Sequence, residues 1–180
     1  MIKLILAIAI IVFYAIRLRR SVLKRSAKNR IQYPYLITEL LILALVIFQL
    51  AGYDPLRFSV TAEVSWLGLI LAIGGAVFSS VARITLKKNY VPIQAAGIPE
   101  NIVTGGIYKI VRHPSYLGTL LAFIGLEIAL GSFFIFLPII LFPYLIKQID
   151  REEKMLSQHF GQQWRDYQKQ TRFKLIPFIY

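Results

Sequence analysis

The stretch VSWLGLILAIGGAVFSSVARITL, residues 64–86, decides the fold class, because its single charge, Arg83, lies near its end. At 1.5 Å of rise per residue, a helix of this length crosses the roughly 30 Å hydrocarbon core of a bilayer. Gly68, Gly74, Gly75, Ser79 and Ser80 give it the small residues that let membrane helices approach closely, which predicts a central position. Upstream lie two further apolar runs. Residues 2–16 are short for a span but are flanked by Lys3 and Arg17, whose stems reach the interfaces; residues 35–53 carry Glu39 and Gln49 near their ends. Downstream, residues 116–130 and 133–149 are separated only by Gly131 and Ser132. That spacing predicts a tight helical hairpin, with Pro138 and Pro143 kinking its second arm. With 57% hydrophobic residues and a mean hydropathy of +0.61, the whole reads as an all-α integral membrane protein of about five transmembrane helices. Cysteine is absent, which excludes disulfides and thiolate chemistry.

The net charge of +12 is distributed in a way that reports orientation. Between the first two runs lie Arg17, Arg19, Arg20, Lys24, Arg25, Lys28 and Arg30 with no acid, whereas Asp54, Arg57 and Glu63 separate the second and third. Basic loops stay on the cytoplasmic side, so the N-terminus is expected outside and the C-terminus in the cytoplasm, across a plasma membrane of prokaryotic type. The charge then serves topology and attraction to anionic membrane lipids, and nucleic acid is not an expected partner. Beyond Asp150 the sequence REEKMLSQHFGQQWRDYQKQ, residues 151–170, repeats Glu153, Leu156, Phe160, Trp164 and Tyr167 at spacings of three and four, which predicts a cytoplasmic C-terminal cap helix. Residues 1–86 form an N-terminal three-span region, and residues 87–180 a second region that gathers the polar chemistry. Glu39 and Glu127 lie near the ends of their runs, where exposure at the interface is the expectation.

Residues 87–114 break the apolar pattern with Pro92, Gly97, Pro99 and the pair Gly105 and Gly106, and they lead into GIYKIVRHPSYLG, residues 106–118. Tyr108, Arg112, His113 and Tyr116 from this motif, with Glu152 and Glu153 after the fifth run, make a polar cluster at one membrane face. The hairpin brings their opposite charges together. His113 and His159 are the only histidines, too few for a histidine-rich metal centre, so no metal is assigned. Neither a G-x-S-x-G elbow nor a P-loop is present. Each residue also has a structural reading. Arg112 suits an interfacial anchor, His113 a cap of the following helix, the two glutamates a helix-dipole complement, and Phe160, Trp164 and Tyr167 plain packing. Pro114 suits the first turn of the fourth helix under any function.

The stretch TGGIYKIVRHPSYLG, followed about forty residues later by REEKMLSQHFGQQWRDYQKQTRFKLIPF, resembles the C-terminal half of isoprenylcysteine carboxyl methyltransferases. Their relatives include phospholipid N-methyltransferases and some sterol reductases. The resemblance covers roughly residues 101–178 and rests on G-x-Y-x-x-x-R-H-P-x-Y-x-G, then E-E-x-x-L-x-x-x-F-G and a terminal Thr and Pro. It implies S-adenosyl-L-methionine as cofactor and methyl transfer at the cytoplasmic membrane face. Gly105, Gly106, Tyr108, His113, Tyr116 and Glu153 are then the expected cofactor-binding residues, and Arg112 and Glu152 the catalytic ones. The residue chemistry suits that ligand: its carboxylate needs a cation or amide donors, its ammonium a carboxylate, and its adenine apolar or aromatic walls.

Two departures stand out. Gln148 occupies a position where the family commonly has arginine, and Ile107 replaces a frequent proline. The first shifts the expected acceptor from a prenylated protein toward a lipid or small hydrophobic thiol, amine or carboxylate, entering sideways from the bilayer. An NADPH-dependent reductase on the same scaffold and a non-catalytic lipid-binding scaffold are the competing readings.

Overall fold

The computed structural model describes residues 4–8, 10–13, 33–86, 89 and 98–179. The basic segment 17–30, on which the orientation rests, and the side chain of Glu39 lie outside the described residues. Five α-helices follow one another: α1 (Tyr33–Leu50), α2 (Ala62–Leu86), α3 (Pro114–Leu130), α4 (Leu137–Phe160) and α5 (Gln162–Gln170). Short 3-10 turns at Gly106–Lys109 and Phe133–Phe136 precede α3 and α4, and residues 4–8 and 10–13 are also helical. Among the described residues the only β pairing is an isolated bridge between Arg57 and Ser132. Two helices, Ala62–Leu86 and Phe133–Phe160, are long and apolar enough to cross a membrane, and the apolar helices ending at Leu50 and Leu130 are shorter.

The α2–α3 pair is the rigid centre, and its packing follows from residue size. A methyl group added at Gly68 would collide with the backbone of Gly125 and Ala129, and one at Gly75 with that of Gly118 and Ala122. The reverse collisions hold for Gly118 against Ser79 and Gly125 against Ala72. The helices therefore run antiparallel with backbones in contact, a geometry that any larger side chain would open. Of the small residues picked out in 64–86, Gly68, Gly75 and Ser79 make the seam, whereas Gly74 faces outward with open space around it. Leu69, Ala72, Leu126, Ala129 and Leu130 join Leu6 and Val46 in the main apolar core. Where α2 ends and α3 begins, the seam turns polar. Ser79 Oγ donates to the Ser115 carbonyl at 3.0 Å, and Arg83 Nε donates to Ser115 Oγ at 3.0 Å.

The expected turn between α3 and α4 is present. Gly131 ends α3 in the left-handed region at φ 64°, and Ser132 Oγ accepts from the Phe134 amide at 3.2 Å. In the second arm Pro138 sits in the first turn of α4, where its missing N–H disturbs no helical bond, and Pro143 lies inside the helix, which continues past it. It also runs unbroken from the apolar stretch into the polar one, because nothing between Ile149 and Asp150 breaks a helix. The expected cap helix is thus the last third of α4 plus α5, divided at Gly161 with φ 53° and ψ −116°. Ile139 and Ile140 are 69% and 72% exposed, so the apolar part of α4 is not zipped to α3 as α2 is.

Glu127 is a correction. The expectation of interfacial exposure fails, since this residue is fully buried. Gln49 Nε2 donates to Glu127 Oε2 at 2.8 Å and to Ser132 Oγ at 3.0 Å. The reason lies in the loop between α1 and α2, which folds over this end of α3. The Phe58 amide donates to the Gly131 carbonyl at 2.7 Å, and the Phe133 amide to the Leu56 carbonyl at 2.9 Å. A position near the end of an apolar run is exposed only when no neighbouring loop closes on it.

Candidate active site

The site is built where α3 begins, where the apolar part of α4 ends, and where the chain returns after α5. Gly106, with φ 61°, adopts a conformation unfavourable to other residues and starts the turn that carries Tyr108 inward. The Tyr108 hydroxyl donates to the Ala82 carbonyl at 3.3 Å, while its own carbonyl accepts from Tyr167 at 2.8 Å and Thr171 Oγ1 at 3.1 Å. Tyr108 is thereby buried as a pin between α2, α5 and the tail. Burial pushes the Tyr167 hydroxyl well above the usual phenol range, so it stays protonated and donates. Gly105 is extended, and a Cβ there would meet open space.

The tail then straps the motif. The Arg112 amide donates to the Phe173 carbonyl at 3.0 Å and the His113 amide to the Lys174 carbonyl at 2.9 Å. Arg112 Nη1 donates to the carbonyls of Thr171 and Arg172 at 2.7 and 2.8 Å. Its remaining donors go to Glu153: Nε to Oε1 at 2.7 Å and Nη2 to Oε2 at 3.4 Å. His113 Nε2 lies 3.2 Å from the same Oε1, and Gln168 Nε2 donates to Oε2 at 3.2 Å. Burial alone would raise the Glu153 carboxyl, but the hydrogen bonds and charges of His113 and Arg112 outweigh it and hold the group down at about 2. Glu153 lies beyond Ile149, where the apolar run 133–149 closes, and is ionised across the physiological range.

Glu152 differs from its neighbour in being open. Its side chain is 34% exposed; Oε2 accepts from the Tyr116 hydroxyl at 3.0 Å and lies 3.9 Å from His113 Nδ1. His113 thus stands between two carboxylates, its ring 5.7 Å from that of Tyr116. It occupies the N-cap position of α3, but its side chain caps nothing there, and Pro114 takes the first turn as expected. Five polar side chains of the predicted cluster, those of Arg112, His113, Tyr116, Glu152 and Glu153, are brought together, while the Tyr108 hydroxyl turns to Ala82 on α2. Sequence reasoning missed the parts played by Gln168 and Thr171 and read Tyr167 as packing alone. The only available signal was the terminal Thr of the pattern, since carbonyl acceptors in an irregular tail leave no trace in residue type.

The described residues form a helical fold of membrane type, with outward apolar faces and a carboxylate, an imidazole and a phenol converging where two helices meet the polar tail. Residues 64–163 match the model of the phospholipid methyltransferase family, and the chain belongs to that family. It is 28% identical over 120 residues to a probable protein-S-isoprenylcysteine O-methyltransferase of Oryza sativa subsp. indica, covering 64% of this chain and 62% of the relative. Against protein-S-isoprenylcysteine O-methyltransferase A of Arabidopsis thaliana it is 29% identical, covering 64% and 60%. Against the Tribolium castaneum protein-S-isoprenylcysteine O-methyltransferase it is 36% identical over 129 residues, covering 65% and 44%. The chain spans about three fifths or less of the length of these relatives. All three are eukaryotic and lend nothing to a prokaryotic origin.

Proposed function

We propose that this protein is an S-adenosylmethionine-dependent methyltransferase that works at the cytoplasmic face of a membrane on a lipophilic acceptor, in the manner the names of its relatives suggest. The observation that carries this reading is the open Glu152–Tyr116 pair set beside a closed Arg112–Glu153–His113 cluster, within the family-matched part of the chain. The donor set fits the cofactor. Glu152 offers a half-exposed carboxylate for an ammonium, Tyr116 a phenol for a ribose or sulfonium edge, and Gly105 open space beside amide groups for a carboxylate. When bound, S-adenosylmethionine supplies a methyl group on a cationic sulfur, ready for in-line displacement.

The roles of this chain's residues then divide. Glu152, Tyr116, His113, Gly105 and Gly106 face the ligand. Arg112 and Glu153 use all the groups described above on one another and on the tail, so in this reading they hold His113 in place and do not themselves grip the ligand. Tyr108 keeps the loop in register. Positioning and exclusion of water supply most of the rate, because methyl displacement needs little covalent help.

Five spans with the N-terminus outside and the C-terminus in the cytoplasm complete the reading. The acceptor reaches the site from the bilayer side while the cofactor enters from water. Titration calorimetry of the purified protein with S-adenosylmethionine, its demethylated product and NADPH tests the cofactor. Binding of NADPH alone would replace the methyltransferase with a reductase. A radiolabelled-methyl assay over lipid extracts, prenylcysteine analogues and water-soluble acceptors tests the substrate class, and methylation of soluble acceptors alone would remove the lateral route.

A further inference from the structure

The most exposed large apolar side chains among the described residues are not on the membrane helices but at the end of the tail. Phe178 is 89% exposed and Ile179 80%. They follow Leu175, which is fully buried, in a turn closed by the Ile179 amide donating to the Ile176 carbonyl at 3.2 Å. Phe178 takes φ 66°, a left-handed conformation that a bulky residue adopts at a cost, and gains only an edge contact with Phe173 at 5.1 Å between ring centres. Among the described residues no other ring contact rewards this display.

The depth of the turn is fixed by two independent ties. Lys174 Nζ pairs with Asp150 Oδ1 at 2.7 Å, and Asp150 follows Lys147 and Gln148 where the apolar run of α4 gives way to polar sequence. The Lys174 carbonyl accepts from the His113 amide, one residue before Pro114 opens α3. Residue 174 is therefore level with the ends of both arms of the hairpin, where a bilayer surface meets the protein. The neighbouring sequence carries Arg165, Lys169, Arg172 and Lys174 against the single acid Asp166, which suits anionic headgroups. An aromatic and an aliphatic side chain held at that level beside basic residues have the composition of an interfacial anchor.

We propose that the turn at residues 175–179 is a foot that rests in the headgroup region of the same bilayer, with Phe178 and Ile179 inserted. Because residues 171–174 supply the carbonyls that hold Arg112 and His113, the foot couples the membrane surface to the geometry of the site loop. This rests on the membrane reading of the helices and not on methyl transfer.

The absence of cysteine makes the test direct, since Phe178→Cys gives a single attachment point for an environment-sensitive fluorophore. In proteoliposomes containing anionic lipid, the label at 178 is expected to emit to the blue and to be quenched by lipids bearing a nitroxide near the headgroup. The same label at exposed Gln163→Cys should be quenched by aqueous iodide. Separately, Phe178→Ser with Ile179→Ser should raise amide hydrogen exchange in the peptide covering residues 108–116 about tenfold in the bilayer, with helical content unchanged. Equal iodide quenching at 178 and 163, or unaltered exchange in a folded double variant, would overturn the proposal. Neither readout involves cofactor or acceptor, so either failure leaves the methyltransferase reading standing.

Discussion

Two buried polar clusters sit at opposite ends of α3, about 20 Å apart along its axis, and they are built on different principles. At one end Gln49, Glu127 and Ser132 bond to one another, to a covering loop and to the Phe134 amide, and among the described residues Glu127 Oε1 and Gln49 Oε1 meet no hydrogen-bond donor. At the other end Glu153 accepts from Arg112, His113 and Gln168 and is ionised, while the adjacent Glu152 opens to solvent with Tyr116. The first arrangement clasps helices. The second combines a closed, charge-satisfied support with one accessible carboxylate, and that asymmetry between neighbouring glutamates is what the proposed ligand site rests on.

The largest way to break the contrast is at Arg112. Arg112→Ala leaves Glu153 buried without its main partner and frees the carbonyls of Thr171 and Arg172, so a loss of about 3–5 kcal/mol in stability is expected. Thermal unfolding in detergent checks this. A stable variant that lost only turnover would make Arg112 a ligand-contacting residue instead.

Acid probes the same support without mutation. His113 and Arg112 hold the Glu153 carboxyl down at about 2 in the folded protein, below the ordinary glutamate value of 4.5, so its folded pKa is depressed. Its contribution is present above the unfolded value and is lost as pH falls from about 4.5 toward 2. Unfolding temperature should drop across that window in the parent protein and fall less steeply in Glu153→Gln. An identical acid slope in both would detach Glu153 from the stability of the clamp.

The clasp at the far end should respond more mildly and without consequence for chemistry. Glu127→Ala removes the acceptor of Gln49 Nε2 and is expected to cost about 1–3 kcal/mol, whereas Glu127→Gln keeps an acceptor in place and should cost under about 1 kcal/mol. Both variants should bind S-adenosylmethionine as the parent does. A large binding defect in Glu127→Gln would connect the two ends of α3 and erase the distinction between them.

How legible these ends were in the sequence follows from what each depends on. The membrane-type helices were readable because hydropathy reports composition directly, and the hairpin turn because Gly131 and Ser132 are turn residues. The motif at 106–118 and the glutamate pair announced their cluster through residue type and spacing. The seam was half readable: small residues were evident, but only the helical phase separates Gly75, which faces α3, from Gly74, which faces out. Within the glutamate pair the inward member was readable, because Glu153 shares the stripe of Leu156 and Phe160 and is buried. Its partners were not, since the groups that meet it depend on where a tail of irregular structure returns. Glu127 was misread for a related reason, since the loop that buries it is recorded in backbone hydrogen bonds and not in side-chain chemistry.

The smallest perturbation sharpens the open side of the comparison. Tyr116→Phe removes one hydroxyl and its bond to Glu152, which is already half exposed, so stability should change by less than about 1 kcal/mol. The ring stays near His113, and the Arg112–Glu153 support is untouched. If Tyr116 and Glu152 face the ligand, the loss of that hydrogen bond should appear in turnover instead, as a decrease of roughly 3- to 10-fold in kcat/KM for methyl transfer, the amount one uncharged hydrogen bond supports. Calorimetry on the same variant separates weaker cofactor binding from a slower chemical step. Unchanged kcat/KM, with unchanged stability, would make the Tyr116–Glu152 pair a surface contact and move the ligand site away from the open carboxylate.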